Sequence, residues 1–234
     1  MEVEMKELDR RDILFEDSAI LVVRKPSGIA VQHGGIGQMD LEHQLLNYLA
    51  ESTGGGRDLP YLGMIHRLDQ PVEGILVFAR NRESAANLNR QMQQGKIIKE
   101  YLAVVEASGA SEAAVLVDYL RKDSRSNTSS VVKPDVQGAK RSELSYCIRQ
   151  RKKESGRALV SIRLKTGRHH QIRVQMSNAG MPLCGDAKYN TKVLPGEQLA
   201  LCACFLSFLH PNTGKKLDFS IEPENPIFEE FARK

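Results

Sequence analysis

Apolar residues along this chain recur with two different periods. In ALVSIRLKTG, residues 158–167, Val160, Ile162 and Leu164 alternate with Ser161, Arg163 and Lys165, the period-two pattern of a half-buried strand. In NRESAANLNRQMQQG, residues 81–95, Ala85, Leu88 and Met92 recur at helical spacing, with Asn81 where an N-cap belongs and Gly95 where a helix closes. A second helix is expected after Asp40, on Leu41, Leu45, Tyr48 and Leu49. Its N-terminus follows VQHGGIGQ, a glycine-rich loop without the Lys-Ser/Thr of a phosphate-binding sequence.

Strands are expected at Ile20 to Val23, GILVFAR and IIKEYLAVVEA, with weaker ones around Val131 and from Ser145 to Ile148. STGGGRDLP reads as a loop, HHQIRVQMSNAG as a helix beginning just after Gly167 and ending at Gly180, and LALCACFLSFL with KKLDFSIEP as a terminal hairpin. Strands follow strands more often than they alternate with helices. The expected fold is therefore α+β: a mixed, largely antiparallel sheet with flanking helices. No linker divides the chain, so a single catalytic domain over residues 1–234 is expected, with its core at about 13–222.

Composition adds limits. With 41% hydrophobic and 26% charged residues the chain is an ordinary globular one, and no stretch reaches the roughly 18 uninterrupted apolar residues of a membrane span. The N-terminus has no apolar leader, and the four cysteines lack C-x-x-C spacing, so a cytoplasmic protein with reduced thiols is expected. Net charge is only +4, but residues 121–157 hold eleven lysines and arginines against four acids. A local excess of that kind suits a polyanion, and a solvated excursion fits it equally well.

Three places concentrate chemistry. Asp69, in IHRLDQPVEG, is a carboxylate among apolar neighbours and needs a partner to stay ionised. Arg67, two positions earlier, would pair with it if the segment were extended. TGRHHQIR, residues 166–173, gathers an unusual density of donors, and its Arg168 could supply a fixed fork to Asp69. The adjacent His169 and His170 lack the partners of a metal motif, so no metal is expected. Tyr101 reads as a core aromatic or as a flat face on which a base stacks.

HRLDQPVEGILVFARN, KxYLAVVE and KTGRHHQIRVQMSNAGMPLCGDAKYN, together with ILVVRKPSGIAVQHG, resemble the RluA-type family of RNA pseudouridine synthases from about Ile13 to His210. The resemblance implies a sheet crossed by a central catalytic cleft, and an isomerisation of uridine in RNA that needs no oxidant, no ATP, no metal and no other cofactor. It makes Asp69 the catalytic carboxylate, Tyr101 the active-site tyrosine and Arg168 the arginine paired with Asp69. Arg67 falls on the motif arginine near the aspartate, and Arg67, His66, Leu164, Gln171 and Arg173, in or beside these motifs, are expected to bind substrate. Arg151, Lys152 and Lys153 are expected to grip the RNA backbone, an assignment from charge and not from the family.

Two departures stand out. Val72-Glu73 replaces the Thr-Ser of many relatives, and His169 the threonine of TGRTHQIR. With motifs starting near Ile13, the S4-like domain with which many larger relatives begin is not expected here. Recognition of a ribosomal or transfer RNA stem-loop by a monomer is then expected from the catalytic domain itself. The competing expectations are a catalytically silent RNA-binding module and a nucleosidase that cleaves without rejoining.

Overall fold

The computed structural model describes residues 9–32, 39–52, 60–107 and 111–232. Most of the two glycine-rich loops expected at 31–38 and 52–60 lies outside them. In chain order the elements are β1 (Ile13–Glu16), β2 (Ile20–Lys25), α1 (Leu41–Ser52), β3 (Gly63–Met64), β4 (Glu73–Ala79), α2 (Arg82–Gln93) and β5 (Ile98–Glu106). They continue as β6 (Ala113–Asp123), β7 (Thr128–Val132), β8 (Lys140–Lys152), β9 (Arg157–Leu164), α3 (Gln171–Asn178), β10 (Leu201–Leu209) and β11 (Lys216–Ser220). The chain divides into two compact units, residues 1–98 with 203–222 and residues 99–202 with 223–234.

In the first unit β1, β2, β4 and β10 lie side by side, β11 adds to β10, and β3 pairs with β4. The register runs antiparallel from Ile20↔Ala79 to Lys25↔Gly74. All seven β4 residues are buried, and after Glu73 the run GILVFA is continuously non-polar, where alternation would mark an edge. Its core joins Ile20, Val22, Ile75, Val77, Leu88, Leu206 and Phe208. Asn81 caps α2 by accepting the Ser84 N–H at 2.8 Å, and Asp40 accepts the His43 N–H at 3.0 Å at the start of α1. Gly74, at φ +143°, has no room for a side chain: a Cβ there would lie 2.4 Å from that of Ala203 and 2.6 Å from its backbone nitrogen.

The second unit is a sheet in the order β5-β9-β8-β6-β7, antiparallel throughout. Ala158, Val160 and Ile162 of β9 are buried on one face opposite Val105, Ala103 and Tyr101 of β5, and α3 packs against β6 and β7. β6 was not expected as a strand. Its odd-numbered residues Val115 and Val117 are 61% and 49% exposed, so apolar residues occupy both faces and blur the alternation. Gly185, at φ +70°, sits where a Cβ would meet the Gln198 carbonyl. Among the described residues no helix is long and apolar enough to cross a membrane.

Candidate active site

Asp69 lies in the first unit, between β3 and β4, in a stretch without regular structure where Ile65 and Leu68 are buried, His66 and Asp69 half-buried and Arg67 exposed. The Asp69 carbonyl accepts the Val72 N–H at 3.0 Å, which makes Asp69 the first residue of a four-residue turn through Gln70 and Pro71. The KPSG loop after β2 holds this turn. Gly28 N–H donates to the Gln70 carbonyl, Gln70 Nε2 returns a bond to the Gly28 carbonyl, and Ser27 Oγ donates to the Pro71 carbonyl at 2.8 Å.

Beneath them the ammonium of Lys25, fully buried, donates to the carbonyls of Pro26, Ile29 and Gln70 at 2.8, 2.8 and 3.1 Å. A buried charge needs such a ring of acceptors. Arg67 has no carboxylate partner among the described residues, so the expected local Arg67–Asp69 pair does not form. Glu73 is buried with its carboxylate 3.8 Å from Arg24, whose guanidinium also donates to the Glu222 carbonyl. Charge at this departure from the usual Thr-Ser is thus met by charge on β2.

The second unit carries the remaining candidates. Tyr101, buried on β5, stands opposite Ile162, and Leu164, two residues along β9, shares its face. The 165–170 turn follows directly. Glu143 fastens it: its carbonyl accepts from Lys165 N, Thr166 N and Gln171 Nε2, and its N–H donates to Thr166 Oγ1. Lys165 and Arg141 hold the Glu143 carboxyl below its ordinary pKa. Arg168 is exposed on this turn, with its N–H donating to Gln171 Oε1 and its Nε to the Arg141 carbonyl.

Gln171 and Arg173 are buried. The Gln171 oxygen accepts from Thr166 Oγ1 and Arg168 N, and its amide donates to the Glu143 carbonyl and Gln175 Oε1, so its four bonding positions are filled from within the protein. Arg173 makes a two-pronged pair with the fully buried Asp186 at 2.6 and 2.8 Å, and its guanidinium lies over the Tyr189 ring. Helix α3 begins two residues later than its sequence suggests. His170 takes a left-handed conformation at φ 54°, and the chain turns there before the helix starts.

Among the described residues the two histidines are not part of any cluster of three or more His, Cys, Asp or Glu side chains that could hold a metal ion. His169 stacks on His170 at 3.8 Å and reaches Ser129 Oγ at 2.9 Å and Asn127 Oδ1 at 3.1 Å. His170 Nδ1 lies 2.8 Å from the Tyr189 hydroxyl, and burial, then the charges of Arg173 and its neighbours, push its pKa down to about 2. It is therefore neutral at working pH.

One residue escaped the sequence reading. Lys99 shares the Tyr101 face two positions earlier, half-buried, and burial pushes its pKa below the ordinary lysine value. The K-x-Y spacing is the signal that could have found it. Arg151, Lys152 and Lys153, by contrast, lie at the opposite end of β8 from the Arg168 turn, and Arg151 pairs there with Glu112 at 2.9 Å.

Comparison with known proteins agrees with these motifs. The family model described as RNA pseudouridylate synthase matches residues 19–178, a span that includes Asp69, Tyr101 and Arg168. Ribosomal large subunit pseudouridine synthase C of Buchnera aphidicola is 35% identical over 213 residues, and that of Pasteurella multocida 36% over 223, covering 88% and 92% of this chain. This chain spans 65% of the length of each, just under two thirds. The solved structure of human RNA Pseudouridylate Synthase Domain Containing 4 is 23% identical, covers 92% of this chain and 89% of its own, and superposes with a TM-score of 0.74. The α+β fold expected from the sequence is that of these proteins, and the chain belongs to the RNA pseudouridylate synthase family.

Proposed function

We propose that this chain isomerises uridine to pseudouridine in large-subunit ribosomal RNA, with Asp69 as the catalytic carboxylate. Family membership and the names of the relatives support the reaction and the substrate class. The observation that carries the choice of residue is the turn headed by Asp69, pinned through Gln70 to the buried Lys25. A carboxylate on such a mount keeps its position while the substrate moves.

The reaction breaks the bond from N1 to C1′, leaving the electron pair on N1. The base turns, C5 bonds to C1′, the C5 proton leaves to solvent and N1 regains a proton, so atoms and electrons balance without a redox partner. Attack by Asp69 at C1′, attack on the base, and removal of a sugar proton to give a glycal all begin from an ionised carboxylate. An ionised carboxylate in a desolvated site needs a cationic partner, the role that the family resemblance gives to Arg168. Tyr101 offers its ring for stacking on the uracil, and His66 and Leu164 are the further residues assigned to substrate binding.

Extruding a stacked uridine costs a few kcal/mol, and the exposed Arg67 fills the vacated place. Gln171 and Arg173 act from within, by fixing the turn and helix that carry Arg168. The protein works as a cytoplasmic monomer. Incubation with C5-tritiated ribosomal and transfer RNA transcripts tests the reading, with tritium release expected from the large-subunit RNA. Release from transfer RNA alone overturns the substrate, and binding of both without release makes the chain a silent RNA-binding module.

A further inference from the structure

The basic stretch from Arg121 to Arg157 is continuous in sequence but not in space. Strands β8 and β9 run antiparallel from Lys152↔Arg157 at one end to Leu144↔Leu164 at the other, which at about 3.3 Å per residue separates the two ends by roughly 25 Å. At the Lys152 end the charges cancel. Arg151, Lys152, Lys153 and Arg157 are matched in number by Glu112, Glu154, Glu197 and Glu230; Arg151 pairs with Glu112 at 2.9 Å and Arg157 with Glu197 at 3.0 Å and Glu230 at 3.6 Å, while Lys152 and Lys153 form no ion pair among the described residues.

At the other end they do not. Residues 118–125, 133–143, 165–168 and 188 bring nine lysines and arginines together with only four carboxylates. Glu143 is occupied by Arg141 and Lys165, and Asp123 accepts from Arg125 N–H and Ser126 Oγ within its own turn. Lys122, Arg125 and Lys140 are exposed and have no carboxylate partner among the described residues. Lys122 is opposite the buried Ser129, so it shares the face that Ser129 turns to His169. Lys140, opposite Leu120, lies on that face as well.

The hairpin bearing these charges is bonded to the Arg168 turn. Ser129 Oγ meets His169 at Nδ1 and at the carbonyl, Asn127 reaches His169 Nε2, Ser129 N–H donates to the Tyr189 hydroxyl, and Lys188 Nζ donates to the Asn127 carbonyl at 2.6 Å. His169, where many relatives have threonine, therefore serves as a tie between the two. Charge without neutralising partners, carried on the edge hairpin of the sheet and tied to the Arg168 turn, suits a ligand of regularly spaced anions.

We propose that the outer end of β6 and β7, with Lys122, Arg125 and Lys140, grips the phosphates of the RNA stem flanking the target uridine, and that the Lys152 end takes no part. This rests on the reading of the chain as an RNA enzyme and goes beyond it by assigning the binding surface. On this proposal the grip moves away from Lys152 and Lys153, where the sequence placed it.

The test is binding of a fluorescein-labelled stem-loop RNA by the full chain across a potassium chloride series. The triple variant Lys122→Gln, Arg125→Gln, Lys140→Gln is expected to bind at least about tenfold more weakly at physiological salt, with a log–log salt slope shallower by about 2 to 3. Each single substitution is expected to lower the slope by about 0.7 to 0.9, which keeps the comparison readable if the triple variant folds poorly. Lys152→Gln with Lys153→Gln is expected to leave the slope as it is. Unchanged slopes in the first set, or a larger loss in the second, overturn the proposal. Tritium release by the unsubstituted chain is measured separately, so a chain that binds this way and converts nothing refutes the activity without touching the surface.

Discussion

The buried ammonium of Lys25 donates to the carbonyl of Gln70 at 3.1 Å, so the residue immediately after Asp69 is held by a charge that has no access to water. Lys25→Met keeps most of the volume but leaves buried carbonyls without a donor. Its expected cost is about 2 to 4 kcal/mol of stability, read from a urea melt. A slower tritium release by the variant under conditions where it remains folded is expected alongside, because the turn that carries Asp69 loses its mount.

His170 sets part of the response to acid. Its folded pKa of about 2 lies below the ordinary histidine value of 6.5, so between these values the unfolded chain binds the extra proton. Its contribution is present above pH 6.5 and is lost as pH falls toward 2. By pH 5 the loss amounts to about 2 kcal/mol. His170→Asn, which tolerates a left-handed backbone, is expected to flatten this part of the stability curve in melts at pH 5 and 7.

Lys99 acts in the opposite range. Burial lowers its pKa, so at neutral pH the folded protein carries a desolvated ammonium that the unfolded chain hydrates. The penalty is full below the lowered pKa and is relieved as pH rises through it toward the ordinary lysine value. Lys99→Met is accordingly expected to raise the melting temperature at pH 7, with a gain that shrinks in alkaline buffer. A melting temperature that falls at pH 7 would contradict the burial argument.

The sequence carried some of this architecture clearly and some of it not at all. Helix α2 was legible because Asn81, the Ala85–Leu88–Met92 spacing and Gly95 all point to one answer, and β9 because its two faces differ in polarity. β6 was hidden, since Val115 and Val117 are exposed, and residue type no longer reports which face is buried. Polar residues were harder to read. Gln171 and Arg173 read as donors for a substrate, and in the fold Gln171 bonds to Glu143, 28 residues away, and Arg173 to Asp186, 13 residues away, partners that the sequence does not announce. Lys25 is the same case: nothing in KPSG announces that three carbonyls will converge on its ammonium.

Asp69→Asn tests the central claim most directly. The substitution removes the charge and the nucleophile while keeping size and the backbone bonds of the turn. The variant is expected to bind C5-tritiated large-subunit ribosomal RNA as the unsubstituted chain does and to release no tritium above background. Release at a rate comparable to that of the unsubstituted chain would contradict the assignment of Asp69 as the catalytic carboxylate.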